Sequence, residues 1–202
     1  MNLHKTTVVI QAGGRSSRMG RDKGLVPLAG KPMIEHIIER VAGLGDALHL
    51  ITNHPENYAY LNLPIGSDAE PGAGALPGLQ TALSAVESEL VLLIACDMPF
   101  VNRALLAFQL AQAAEADVVV PVWEGYHQPM HAVYRRDVVL AAVERVLARN
   151  QRRMVSFYKD VRVREISAET ITRFDPLGHT FYNVNTPADL LTAEQLLMQK
   201  QD

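Results

Sequence analysis

The chain has 202 residues, of which 48% are hydrophobic and 20% charged, and its formal net charge at pH 7 is −3. These values suit one α/β domain with a substantial core, over residues 1–202, and they exclude a global basic surface for nucleic acid. We therefore expect a single domain without a nucleic-acid partner.

The sequence also predicts a cytoplasmic protein. Its one cysteine, Cys96, excludes an internal disulfide and fits a reducing compartment. No apolar run approaches the ~20 residues needed to span a membrane. The first seven residues are too short and too polar for a signal peptide. We expect no membrane partner.

Strand patterns and helix patterns alternate along the chain. Predicted strands lie at Thr6–Gln11, Ala47–Thr52, Leu90–Ala95, Asp117–Pro121 and Val161–Ile166. Predicted helices begin at Met33, at Asn102 as N-cap, at Asp137 and at Thr186-Pro187. This order predicts right-handed crossovers and a mostly parallel, three-layer α/β/α sheet. Residues 122–136 interrupt the alternation, and we expect a small antiparallel hairpin or insertion there, on the substrate side.

The loop after the first strand, residues 12–24, predicts a phosphate site. It contains Gly13 and Gly14, followed by three arginines and Lys23. Glycines let backbone N–H groups approach a ligand closely, and clustered cations neutralise phosphate. The loop is neither a Walker A motif nor G-x-G-x-x-G, because Lys23 precedes Gly24 and the glycine spacing differs. Since open α/β sheets bind ligands at strand C-terminal ends, we expect a nucleotide here.

Asp97 lies two positions after the end of the central strand Leu90–Ala95. A carboxylate at a strand end near phosphates is well placed for Mg²⁺, which neutralises a triphosphate. The alternative is a cap for the next helix, a role that Asn102 serves better.

Residues 71–78 form a second glycine-rich stretch. It is either a flexible connection or a segment that closes over the nucleotide, with free N–H groups for an anion near Gly78.

The motifs resemble those of nucleotidyltransferases of the molybdenum cofactor guanylyltransferase type. The resemblance runs nearly end to end, through Arg18-Met19-Gly20, Asp22-Lys23, Gly30-Lys31-Pro32, Pro71–Gly78, Cys96-Asp97-Met98-Pro99 and Asn183-Val184-Asn185-Thr186-Pro187. It implies a Rossmann-like nucleotidyltransferase fold and an enzyme that transfers GMP from GTP to the phosphate of molybdopterin. It also implies Mg²⁺ as cofactor, and transient contacts with proteins that supply or receive the molybdenum cofactor.

The resemblance assigns roles to individual residues. Arg18, Lys23 and Asp97 are the implied catalytic residues, with Asp97 as the magnesium ligand. The implied nucleotide-binding residues are Gln11, Ala12, Gly13, Gly14, Lys23, Asn53, Asp68, Gly78 and Asp97. The implied acceptor contacts are His127, Gln128, Asn183 and Asn185. The family usually has an aliphatic residue where Gln11 stands, and the nucleotide contact after the second strand falls on either Thr52 or Asn53.

Three alternatives stay open. The first two are a cytidylyltransferase acting on the same cofactor and a sugar-1-phosphate nucleotidyltransferase. The third is a regulatory module that binds a nucleotide without turnover, against which the presence of both Lys23 and Asp97 argues. A zinc pair of His127 and His131 is disfavoured, because Pro129 between them prevents the two histidines from lying on one face of a helix.

Overall fold

The computed structural model describes residues 4–12, 22–67 and 72–199. Within them the strands are β1 Thr6–Ala12, β2 Pro27–Leu28, β3 Lys31–Pro32, β4 Ala47–Thr52, β5 Ile65–Gly66, β6 Leu90–Ala95, β7 Val118–Trp123, β8 Tyr126–His127, β9 His131–Arg135 and β10 Val163–Ile166. The α-helices are α1 Met33–Val41, α2 Ala75–Ser84, α3 Arg103–Gln112, α4 Arg136–Ala148, α5 Ala168–Thr172 and α6 Pro187–Met198.

The main sheet has the strand order β10-β7-β9-β6-β1-β4-β5, with β8 paired to β7. β1 lies between β6 and β4 and is parallel to both. β9 is antiparallel to β6 and to β7, so β7 runs in the same direction as β6. The C-terminal ends of β1, β4, β6 and β7 therefore lie at one edge of the sheet. This is the edge at which α/β sheets bind ligands.

The two faces of the sheet carry separate apolar clusters, as the alternation of side chains along a strand requires. Val8 and Ile10 of β1 belong to the cluster that includes residues of α1 and α3. Val9 belongs to the other cluster, which includes residues of α2 and α4. Helices cover both faces, which confirms the predicted three-layer architecture.

Local sequence patterns set several boundaries correctly. The strands β4 and β6 have the predicted limits. Asn102 caps α3, because its Oδ1 accepts the N–H of Leu105 at 3.0 Å. Thr186 and Asp189 form a reciprocal capping box at the start of α6.

The predicted insertion over residues 122–136 contains a hairpin and a central strand. β7 and β8 form a tight hairpin through Glu124 and Gly125, which both have positive φ. The chain then returns as β9, which lies inside the main sheet rather than beside it. Of the residues of β9, His131 to Tyr134 are all buried, which explains this central position. Among the described helices, none is long and apolar enough to cross a bilayer.

Candidate active site

Lys23 lies between a carboxylate and an amide at the ligand-binding edge of the sheet. Its Nζ donates to Asp97 Oδ2 at 3.1 Å and to Asn185 Oδ1 at 2.5 Å. The side chains of Lys23 and Asp97 are only 21% and 18% exposed. Partial burial weakens solvent screening, so these charges act on each other and on a ligand more strongly than surface charges.

The fold brings the three side chains together through backbone contacts. Asp97 follows the end of β6, and its carbonyl oxygen accepts the N–H of Val184 at 2.9 Å. The carboxylate of Asp189, in the first turn of α6, accepts the N–H groups of Asn185 at 2.9 Å and Thr186 at 2.8 Å. The Asp189 carboxylate that caps α6 therefore also fixes the backbone of Asn185, whose side chain contacts Lys23.

Asp97 has one carboxylate oxygen to offer to a ligand. Oδ2 accepts from Lys23, whereas the buried Oδ1 has no hydrogen-bond partner within the described residues. A buried, unpaired carboxylate oxygen is costly and fits a cation or an ordered water. The described parts of the chain contain no group of three or more His, Cys, Asp or Glu side chains placed to hold a metal. The fit to Mg²⁺ accordingly rests on Asp97, with substrate oxygens and water as the remaining ligands, a common arrangement for this ion.

Gln11 and Gly78 form the contact between β1 and α2. Gln11 is only 8% exposed, and Ala12, the last residue of β1, is also buried. A Cβ at position 78 would overlap Gln11 Nε2, so a side chain at this position would force the Gln11 amide to move. The N–H of Gly78 donates to Gly74 O at 3.3 Å, which corrects the expectation of a free N–H at this residue. Gly78 is the fourth residue of α2, so any free N–H groups belong to the preceding residues.

The other expected nucleotide contacts lie either at the end of β4 or outside the described residues. Thr52 is fully buried and its hydroxyl accepts the N–H of His54 at 3.2 Å, whereas Asn53 is half-buried. The strand end therefore leaves Asn53 as the more accessible of the two side chains. The remaining predicted residues, Gly13, Gly14, Arg18 and Asp68, lie outside the described residues.

Of the four expected acceptor contacts, only Asn185 contacts the Lys23–Asp97 pair. His127 Nε2 lies 2.7 Å from Glu165 Oε1, and Gln128 Nε2 donates to Tyr126 O at 3.3 Å. Asn183 Nδ2 donates to Phe181 O at 2.9 Å. His127 belongs to β8, which continues from the C-terminal end of β7, so it does lie toward the ligand-binding edge.

Burial shifts the pKa of two further side chains, Cys96 and His131. Burial raises the pKa of the Cys96 thiol well above its usual value, with Asp97 adding to the effect, so the thiol stays protonated. His131 is fully buried, its Nε2 lies 3.0 Å from Thr180 Oγ1, and burial lowers its pKa to about 4. His131 therefore lies within the core, with its ring directed to Thr180.

Sequence reasoning missed one contact at this site. The hydroxyl of Tyr58 donates to Asp22 Oδ1 at 2.5 Å, directly before Lys23. The two residues are 36 positions apart, so no local pattern reveals the contact.

Known proteins resemble the chain along almost its whole length. Residues 8–163 match the family described as the MobA-like NTP transferase domain. A probable molybdenum cofactor guanylyltransferase of Carboxydothermus hydrogenoformans is 36% identical over 187 residues, which is 93% of this chain and 94% of the relative. A second probable molybdenum cofactor guanylyltransferase, from Natranaerobius thermophilus, is 32% identical and covers 95% of this chain and 96% of its own.

A solved structure confirms the fold. Molybdopterin-guanine dinucleotide biosynthesis protein A from Archaeoglobus fulgidus superposes with a TM-score of 0.80 at 25% identity, covering 96% of this chain and 99% of that one. The family and the fold indicate an enzyme rather than a binding module without turnover. The chain belongs to the MobA-like NTP transferase domain family and is a nucleotidyltransferase.

Proposed function

We propose that this nucleotidyltransferase acts in molybdenum cofactor biosynthesis and transfers GMP from GTP to the terminal phosphate of molybdopterin. The observation that carries the proposal is the Lys23 ammonium held between Asp97 and Asn185 beyond the C-terminal end of β6. The relatives named as molybdenum cofactor guanylyltransferases support the choice of substrates.

In the proposed reaction an oxygen of the acceptor phosphate forms a bond to the α-phosphorus of GTP. The bond from that phosphorus to the bridging oxygen breaks, and pyrophosphate leaves with the electron pair. The acceptor phosphate is already anionic, so no side-chain nucleophile is needed. Catalysis then depends on orienting the two phosphates and on stabilising negative charge. Lys23 supplies a positive charge that Asp97 and Asn185 hold in one place.

Asp97 would hold Mg²⁺ through Oδ1, the oxygen that Lys23 leaves free. When bound, the ion neutralises the triphosphate and makes the α-phosphorus more electrophilic. Lys23 would remain close to the same carboxylate, so the charge of Asp97 is shared between two cations.

The acceptor would bind on the side of Asn185 and β8. Asn185 has its amide at the Lys23–Asp97 pair, whereas His127 lies in β8 and Gln128 follows it, with its N–H donating to Pro121 O of β7. His127 is partly exposed and so is accessible to a ligand. Asn183 belongs to the same loop as Asn185 and completes the proposed acceptor contacts.

A panel of four nucleoside triphosphates tests the proposal. Each is incubated with the enzyme, Mg²⁺ and molybdopterin, and pyrophosphate release is measured together with binding by calorimetry. GTP should give the highest kcat/KM and form the guanine dinucleotide. Preference for CTP would make the enzyme a cytidylyltransferase, and turnover only with a sugar 1-phosphate would identify a different acceptor class. Binding of GTP without release of pyrophosphate would reject the catalytic role.

A further inference from the structure

The N-cap residue of the turn that carries Lys23 is hydrogen-bonded to a buried tyrosine hydroxyl. Lys23 begins the 3₁₀ turn Lys23–Leu25, and Asp22 is its N-cap, with Oδ1 accepting the N–H of Gly24 at 3.3 Å. The same oxygen accepts the hydroxyl hydrogen of Tyr58 at 2.5 Å. Asp22 thus connects the turn to a residue of the 3₁₀ helix Pro55–Leu61.

Tyr58 is itself rigidly held. Its side chain is fully buried and belongs to the apolar cluster under β1 and α1. Burial and the bond to Asp22 raise the pKa of its hydroxyl far above the usual value, so the group is always a donor. A buried donor on a fixed ring defines the position of its acceptor more precisely than a solvent-exposed one.

Gly24 shows how closely the turn and the hydroxyl pack. A Cβ at position 24 would lie 2.6 Å from Tyr58 Oη, but 3.4 Å from the nearest ring carbons. The hydroxyl oxygen, rather than the ring, is therefore what excludes a side chain at this position.

From these contacts we infer that Tyr58 is a positioning residue for Lys23, acting through Asp22. The Tyr58–Asp22 bond fixes the start of the turn, and the turn directs Lys23 Nζ to the space between Asp97 and Asn185. The inference rests on the proposed function for the reaction that Lys23 serves. It assigns to Tyr58 an effect on turnover without any contact to the substrates.

Three variants test this in the full-length enzyme. Tyr58→Phe removes the hydroxyl and keeps the buried ring, and should lower kcat about 10-fold with KM for GTP changed less than about 2-fold. Gly24→Ala disturbs the same bond from the other side and should have a similar effect. Tyr60→Phe is the matched control, because Tyr60 lies in the same 3₁₀ helix and its hydroxyl bonds to Glu35 away from the turn.

The double variant separates positioning from general destabilisation. In the Tyr58→Phe background the oxygen that clashes with a Cβ at position 24 is gone, so Gly24→Ala should lower kcat by no more than about 2-fold further. Independent effects of the two substitutions on kcat would overturn the inference, as would an unchanged kcat in Tyr58→Phe. Thermal unfolding of each variant verifies that it is folded at the assay temperature.

A second measurement does not depend on the substrates. Acylation of lysines by an N-hydroxysuccinimide ester, followed by peptide mass spectrometry, reports how well each amine is held. Lys23 should react several-fold faster in Tyr58→Phe than in the unmodified enzyme, while Lys31, paired with Glu39, should not change. If the unmodified enzyme fails to turn over GTP with molybdopterin, the proposed function fails. The labelling rate still decides the role of Tyr58, and an unchanged rate at Lys23 would reject it.

Discussion

At the scale of single residues, the site is a small set of charges with fixed neighbours. Lys23 has two hydrogen-bond acceptors, and Asp97 has one oxygen paired and one free within the described residues. Neither side chain belongs to an apolar cluster. Removing either one should therefore lower turnover more than it lowers the free energy of unfolding.

Lys23→Ala should lower kcat by ~10²–10³, since it removes one preorganised charge at the reacting phosphates. The melting temperature should change little, because the lysine lies in a partly exposed turn. Pyrophosphate release and thermal unfolding measure the two effects. Lys5→Ala, which removes an exposed lysine just before the start of β1, is the control and should retain full activity. Near-normal turnover of Lys23→Ala would show that Lys23 does not act on the phosphates.

Asp97→Asn should keep the fold, weaken GTP binding only in part and remove most activity. A neutral amide is a much poorer ligand for Mg²⁺ than a carboxylate. The measurement is turnover against magnesium concentration, which should shift to higher concentrations in the variant. Asp68→Asn is the informative comparison, because it is expected to affect GTP affinity more than the chemical step. An Asp97→Asn enzyme with unchanged rate and magnesium dependence would make Asp97 only a turn residue.

At the scale of elements, one buried carboxylate connects three strands at the other end of the sheet. Asp117 directly precedes β7 and accepts from the backbone N–H of Arg162 at 2.9 Å and from its guanidinium at 2.9 and 3.1 Å. The guanidinium of Arg135, at the end of β9, lies 3.7 Å away. The side chain of Asp117 is 7% exposed, whereas that of Arg162 is 67% exposed. Most of the stabilisation therefore depends on keeping Asp117 charged and hydrogen-bonded.

Asp117→Asn should lower the free energy of unfolding by about 2 kcal/mol at pH 7, because it weakens charge-assisted hydrogen bonds at a buried site. The bonds from Arg162 lower the pKa of Asp117 in the folded protein. The contribution of the Asp117 carboxylate to the free energy of unfolding is therefore fully present above its unfolded-state pKa of about 4. This contribution is lost as the pH falls through the pKa of Asp117 in the folded protein. Urea unfolding of both proteins at pH 7 and pH 3 checks this, and a difference that persists undiminished at pH 3 would contradict it.

At the scale of the whole molecule, a buried histidine couples stability to pH. His131 is fully buried, with Asp175 as the carboxylate that acts on it, and burial lowers its pKa from 6.5 to about 4. The pKa of His49 is lowered in the same way. A folded state that resists protonation loses stability relative to the unfolded chain when the pH falls below about 6.5.

The free energy of unfolding should therefore fall between pH 6.5 and pH 4, by at most about 1.4 kcal/mol per pH unit for His131. His131→Gln keeps a hydrogen-bonding side chain toward Thr180 and cannot be protonated in this range. Its unfolding free energy should be lower at pH 7 but should change less with pH. Chemical unfolding at several pH values measures both slopes, and equal slopes would show that His131 is not the group responsible.

The sequence by itself determined the features that depend on neighbours along the chain. The continuous apolar run Leu90–Ala95 identified β6, and apolar residues at helical spacing identified α1 and α4. Asn102 and Thr186 were recognisable as caps because a cap bonds to a backbone N–H three residues away. The glycine-rich and charged motifs at Lys23 and Asp97 indicated a nucleotide site for the same reason, since each motif is contiguous.

Only the tertiary structure decided which residues meet. Lys23 lies 74 positions from Asp97 and 162 from Asn185, and no pattern along the chain encodes those contacts. The position of β9 between β6 and β7, and the bond from Tyr58 to Asp22, depend likewise on how buried segments pack. Sequence periodicity specifies which face of an element is apolar, whereas the free energy of packing all faces together selects their neighbours.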